Sequence, residues 1–277
     1  QGVIALESIG FTETQVQDFR KMIHYPHGII LITGPTGSGK STTLYATLNE
    51  VDSAKKNIIT VEDPVEYKLE RINQINVRPK INLTFANALR SILRQDPDII
   101  MIGEMRDSDT AHIAVQSALT GHLVFSTLHT NDAVSSLTRM TDMGVEPFLI
   151  SSSVIGVMAQ RLVRRICPRC IEDYIPEVGI FDDLKLNIPL PDKDKIRLYR
   201  GKGCDYCKNT GYYGRIAIFE MIEINDEIRS MILKKISSNQ IKEVAIRYGM
   251  KTLLDSGIEK ALEGITTIDE VFRVAVT

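Results

Sequence analysis

The sequence predicts an α/β fold: a mainly parallel sheet covered by helices, then a small cysteine-bearing module, then a helical C-terminal part. Three observations predict it. Over the first two-thirds of the chain, short apolar runs alternate with segments of helical periodicity, as strand–helix–strand units do. Four cysteines form two Cys-x-x-Cys pairs in a stretch rich in proline and charge. The remainder carries helical spacing with stop signals. The expected segments are residues 1–165 for the core, 166–215 for the module and 216–277 for the helical subdomain.

In chain order, the candidate strands are Gly28–Thr33, Asn57–Val61, Asp98–Ile102 and His122–Ser126. Between the second and third, Phe85, Ala88, Leu89, Ile92 and Leu93 recur at helical spacing, and the pattern stops near Arg94, ahead of Asp96-Pro97. Ala111–Leu119, Ala133–Met143 and Pro147–Val163 are read as further helices. From Cys167 to about Arg215, four of the ten prolines (Pro168, Pro176, Pro189, Pro191) break any regular pattern. In the last part, Thr267 and Glu270 have capping-box spacing, and Gly249 and Gly264 stand where helices should stop.

Gly34-Pro35-Thr36-Gly37-Ser38-Gly39-Lys40-Ser41 matches G-x-x-x-x-G-K-[ST] in full, after an apolar strand and before the helical run Thr42–Asn49. Glycines let backbone N–H groups curl around phosphates, and the following helix N-terminus adds positive charge. Lys40 is then placed to neutralise the β- and γ-phosphates of ATP, with the Ser41 hydroxyl on Mg²⁺. Ligands of an open parallel sheet sit outside the carboxyl ends of its strands, and three other strand ends carry polar groups. Glu62 and Asp63 follow the second strand, Glu104, Arg106 and Asp107 the third, and His129 the fourth. Glu104, behind four apolar residues, is a Walker-B-type carboxylate that can hold Mg²⁺ or orient the attacking water. Glu62 is the other candidate base, Asp63 a candidate support for the metal shell, and His129 a candidate γ-phosphate donor. The plainer alternative for Asp63 and Asp107 is helix N-capping. His24, His27 and His112 are read as structural, and His122 is left undecided.

Taken together, these residues resemble the secretion ATPases of type II secretion systems and type IV pili. The resemblance rests on the P-loop Gly34–Ser41, the "Asp box" Thr60-Val-Glu-Asp-Pro-Val-Glu66, and a Walker B region from Arg94 to Asp107. It continues through the "His box" Ser126-Thr-Leu-His-Thr-Asn131, then Gln160–Val163, and covers nearly the whole chain. It implies a RecA-like core, a homo-hexameric ring, and ATP hydrolysis by Lys40, Glu62, Glu104 and His129, turned into domain rotation. Arg90, Arg94, Arg106 and Arg139 are implied candidates for reaching a γ-phosphate, within or across subunits. The implied partners are inner-membrane platform and anchoring proteins, with pseudopilus assembly as the task. Asp142–Ser153 looks more like secretion members than pilus-extension members, which form the alternative. Family members carry N-terminal domains, and with no initiator Met and few residues before the P-loop the chain is expected to be a portion lacking them.

Cys167, Cys170, Cys204 and Cys207 offer four thiolates suited to tetrahedral Zn²⁺, although the 33 residues between the pairs exceed usual zinc-ribbon spacing. The resemblance extends to this module, which the pilus-retraction members lack. The nearby run Arg161, Arg164, Arg165 and Arg169 is either a solvated face or a contact for an acidic partner. With 33 basic and 35 acidic residues, the chain lacks the positive excess of a nucleic-acid machine, so a DNA-translocating motor is the less favoured class. A nucleotide-gated assembly protein with negligible turnover is the remaining alternative. No run approaches the roughly 20 apolar residues that span a bilayer, and the start has no basic signal-peptide region. A cytoplasmic location, touching the membrane only through partners, is therefore expected.

Overall fold

The chain's computed structural model describes residues 4–51, 54–177, 179–192 and 196–275, so both extreme ends of the expected segments lie outside the described residues. The elements in the first half are α1 (Leu6–Ile9), α2 (Glu13–Ile23), β1 (Gly28–Thr33), α3 (Lys40–Glu50), β2 (Ile58–Glu62), β3 (Asn73–Asn76), α4 (Phe85–Ile92), β4 (Ile99–Ile102), α5 (Ser108–Leu119) and β5 (Leu123–Leu128). There follow α6 (Ser135–Asp142), α7 (Pro147–Ser153), β6 (Val154–Ile166), β7 (Ile171–Tyr174), β8 (Leu198–Gly201), β9 (Tyr212–Glu223), α8 (Asp226–Leu233), α9 (Ser238–Arg247), α10 (Leu253–Leu262) and α11 (Ile268–Ala275).

Seven strands form one sheet in the order β3-β2-β4-β5-β1-β6-β9, all neighbours parallel except the last pair. Its central strands are buried throughout because both faces are covered. In β1, Ile29 and Leu31 enter one core while Ile30 and Ile32 enter the other; in β4, Ile100 and Ile102 divide from Ile99 and Met101 in the same way. Period-two alternation between two cores leaves no polar face to read. Each fully buried Ile or Leu contributes about 1.5–3 kcal/mol, so Leu31→Asp would break the sheet at its centre.

Two expectations need correction. Pro147–Val163 is not one helix: α7 ends at Ser153 and β6 runs on from Val154. Nor is the C-terminal part helical from its start, because residues 216–223 belong to β9, which pairs with β6 in the main sheet. The boundary at 216 thus falls inside a strand. Once past β9 the helices follow, and Gly249 and Gly264 close α9 and α10 with φ of 93° and 75°. Thr267 accepts from the Glu270 N–H as a helix cap should, yet Glu270 does not complete the box. Its carboxylate reaches Arg164, accepting from the backbone N–H at 3.0 Å and the guanidinium at 2.6 Å.

The cysteine module occupies the excursion between β6 and β9, with β7 and β8 as a separate antiparallel pair. Phe181, Ile188, Ile196 and Leu198 from this excursion pack on Ile258, Ala261, Ile268 and Val271 of α10 and α11.

Candidate functional site

Because β1, β2, β4 and β5 are parallel, their carboxyl ends open on one side, and a cleft of about 680 Å³ lies there. Thr36, Gly37, Ser38, Gly39, Lys40, Ser41 and Thr42 form one wall; Glu62, Asp63, Glu104, Arg106, Thr127 and His129 face it. The loop needs its glycines. Gly39, with φ of 90°, is the N-cap of α3, and a Cβ there would stand 2.8 Å from the Gln160 amide nitrogen. At Gly34, a Cβ would meet the Gln160 carbonyl oxygen at 2.5 Å. A loop this tight, closed by a helix N-terminus and a lysine, is a cradle for a polyphosphate. Lys40 Nζ donates to the carbonyls of Gly34 and Pro35 at 2.8 and 3.1 Å. Burial pushes its pKa below the ordinary lysine range, the Glu104 charge pulls it back, and Arg161 lowers it further.

The carboxylates are held differently. Glu104 sits between two partners, with His129 Nε2 2.8 Å from one oxygen and the Arg106 guanidinium 2.7 Å from the other. This contact raises the Arg106 pKa. Glu62 is 4% exposed and accepts from the hydroxyls of Tyr45 and Thr60 and from the Gln74 amide. Burial, and next the bond to Glu62, push the Tyr45 phenol well above its usual range. Asp63 lines the cleft, whereas Asp107 caps α5, accepting from the Thr110 N–H at 2.8 Å. Among the arginines, Arg106 lines the cleft, while Arg90, Arg94 and Arg139 are exposed on helices or turns away from it. None of those three lines the chain's own cleft. Ring nitrogens of His24, His112 and His122 each bond a backbone carbonyl, as structural histidines do.

Several contributors were not anticipated as such. Gln160 of β6 donates to the Ser38 carbonyl at 2.8 Å and accepts from the Thr43 hydroxyl at 2.8 Å, so it fixes loop and helix together. Arg161, buried beside it, donates to the Asn131 carbonyl at 2.8 Å. Reading residues 147–163 as a helix hid both roles, although the Gln-Arg pair was visible in the motif. Thr60 was recoverable, since residues two apart on a strand share a face with Glu62. Tyr45, Gln74 and Arg215, the last also at the cleft, carry no pattern that marks them.

The second site is built from turns. Ligand sulfurs of Cys167, Cys170, Cys204 and Cys207 all lie within 4.8 Å of one another, with pairs at 3.7 to 3.9 Å. A tetrahedron with bonds of about 2.3 Å has edges near 3.8 Å, so the set can hold a metal such as zinc. Backbone N–H groups of Cys204 and Gly211 donate to the Cys207 sulfur at 3.2 and 3.3 Å. Burial pushes that thiol up, but these donors and the Cys204 and Cys170 side chains lower it to about 6, while burial raises its neighbour Cys170 to about 12. The arginine run beside the module is mostly engaged: Arg164 pairs with Glu270 and stacks on Tyr212, and Arg169 stacks on Tyr206.

A family model described as type II/IV secretion system protein matches residues 1–273. The chain belongs to this family. It is 50% identical over 272 residues to the type II secretion system ATPase E of Vibrio cholerae, covering 97% of this chain and 52% of that protein. It is 52% identical over 266 residues to the type IV pilus assembly ATPase PilB of Thermus thermophilus, covering 96% of this chain and 30% of that one. The chain thus spans about half the length, or less, of these relatives. Among solved structures, the pilus retraction motor PilT with bound ADP aligns over 100% of this chain and 68% of its own, at 28% identity and a TM-score of 0.74. The α/β secretion-ATPase fold expected from the sequence is therefore the fold of this family member. No described helix is long and apolar enough to cross a membrane.

Proposed function

We propose that this chain is the ATP-hydrolysing motor portion of a type II secretion system, driving pseudopilus assembly at the inner membrane. One observation carries the reading: Lys40, Ser41, Glu62, Glu104 and His129, from four segments, converge on one cleft at the carboxyl edge of the sheet. Lys40 and the Gly34–Ser41 backbone are suited to bind and orient the phosphates of ATP, and Ser41 with Glu104 to hold Mg²⁺. Mg²⁺ supplies charge neutralisation on the transferring phosphoryl group. Glu104 and Glu62 are the acceptors able to orient the attacking water, and His129 is held by Glu104 where it can donate to a γ-phosphate oxygen. Two carboxylates facing a phosphate cradle favour turnover over nucleotide-gated assembly alone. Zn²⁺ in the four-cysteine site has a structural role, since four protein ligands leave no open position.

The working form is a homo-hexamer in the cytoplasm that meets the membrane through platform and anchoring proteins. Three exposed arginines outside the chain's own cleft fit shared sites between subunits. Steady-state ATP hydrolysis, measured as protein concentration and mass rise together, tests this reading. Specific activity should climb with oligomer size and vanish in Lys40→Ala; large assemblies that bind ATP without turning it over would overturn it.

The second reading, pilus assembly, is favoured by the 52% identity to the pilus assembly relative, as high as that to the secretion relatives. Restoring exported enzymes, rather than surface pili, in a strain lacking the full-length protein separates the two.

A further inference from the structure

The loop from His129 to Asp132 leads from β5 towards α6, and its cleft-facing end carries the histidine that meets Glu104. Its far end is held by a residue outside every recognised motif. Glu220 lies on β9, 1% exposed, and one carboxylate oxygen accepts from the Ala133 N–H at 2.9 Å. Its other oxygen meets Lys242 Nζ of α9 at 3.3 Å. A buried charge is tolerated only when paired, and among the described residues Lys242 makes the ion pair with Glu220. Arg161, which grips Asn131, also attracts Glu220, while Asp132 opposes it.

α9 engages α6 at a second point, where the Ser238 and Thr138 hydroxyls lie 2.8 Å apart. Ser238 and Lys242 are four residues apart and so share a helix face. That one face of α9 therefore meets both the body of α6 and, through Glu220, the turn that starts it. Beneath it, Ile241, Val244 and Ala245 share a core with Leu137 and Met140 of α6.

We propose that Glu220 and Lys242 are positioning residues that couple the C-terminal helix α9 to the His129 loop, setting the loop's geometry for ATP hydrolysis. A shift of α9 pulls on Lys242, changes how Glu220 holds Ala133, and moves the loop whose first residue contacts Glu104. The pair lies outside the nucleotide cleft, so the coupling acts on turnover and leaves ATP binding alone. This inference rests on the ATPase reading above.

The test uses Lys242→Met, which keeps the aliphatic stem, Glu220→Gln, which keeps an acceptor for Ala133, and the double variant. Burial raises the Glu220 carboxyl above its ordinary range, so ionisation there opposes folding and the Gln variant should fold. Turnover, ATP affinity and amide exchange of the 129–134 segment are measured on the full-length assembled protein. Each single variant should lower kcat roughly three- to tenfold with KM within about twofold, and speed exchange in that segment, as coupling of this kind allows. The double variant, which leaves no unpaired buried charge, should recover part of the loss. An active parent whose single variants keep kcat and exchange unchanged, or lose KM and kcat together, overturns the coupling. A parent that never hydrolyses ATP overturns the ATPase reading first, and the positioning role with it.

Discussion

The nucleotide cleft and the cysteine knuckles are both assembled from distant sequence, but by opposite means. The cleft's residues run from Thr36 to Arg215 and are brought together by strand order, in a sheet buried on both faces. The knuckles hold four sulfurs on two tight turns, and the excursion around them rests on α10 and α11 through a small apolar cluster. The cleft's residues are therefore positioned by the sheet itself, whereas the knuckles, if they hold the proposed zinc, would depend on the ion for their cohesion. A site positioned by the core should fail in chemistry when altered, and a site positioned by a metal should fail in folding.

The largest expected effect is on chemistry alone. Lys40→Ala should reduce ATP turnover to background, at least ~10²-fold as for a lost charge-stabilising donor, with Tm within about 2 °C of the parent; a matching drop in Tm would break the contrast. Next, Glu104→Gln should slow hydrolysis by about 10²–10⁴-fold, the range of general acid–base contributions, while a fluorescent ATP analogue still binds. The same measurement on Glu62→Gln decides which carboxylate takes the proton.

Metal removal should show the other behaviour. Chelation of the purified protein should release one zinc per chain and lower Tm by roughly 5–10 °C, with turnover falling less than in either cleft variant. Unchanged Tm after complete zinc release would erase the distinction drawn here.

The smallest effect concerns Glu270, which ties α11 to β6. Burial pushes its carboxyl up, but bonds from Arg273 and Arg164 outweigh this and hold it at about 2 against a usual 4.5. A depressed pKa contributes stability that is complete above the unfolded value and lost as pH falls through the folded one. Glu270→Gln should therefore lower Tm by a few degrees at neutral pH, and the gap should close between about pH 4.5 and 2. A gap independent of pH would mean that packing, not charge, makes the contact.

The contrast between the sites also explains what the sequence disclosed. Gly34–Ser41 and the cysteine pairs are local patterns, each residue's role fixed by its neighbours. Glu104 and His129 were placed because they end short apolar runs. β6 was misread because Val154–Ala159 is apolar on both faces, and a doubly buried strand has no periodicity to separate it from a buried helix. With β6 hidden, β9 lost its partner, and Glu220, a carboxylate inside an apolar strand, could not be seen to face Ala133. Arg164 and Glu270 are 106 positions apart, and only the sheet brings them together.

The antiparallel pairing of β6 with β9 bears on both sites. Gln160 grips the phosphate loop, and seven residues further on the same extended segment delivers Cys167 to the metal set, roughly 20 Å away at strand rise. The long pairing of β6 with β9 thus connects the knuckles and the phosphate loop through one paired strand. Its ladder shifts register between Arg164 and Ile166, where Arg164 is also latched by Glu270. The grip on the phosphate loop, the register shift and the Glu270 latch therefore all lie on the one segment that leads to the knuckles.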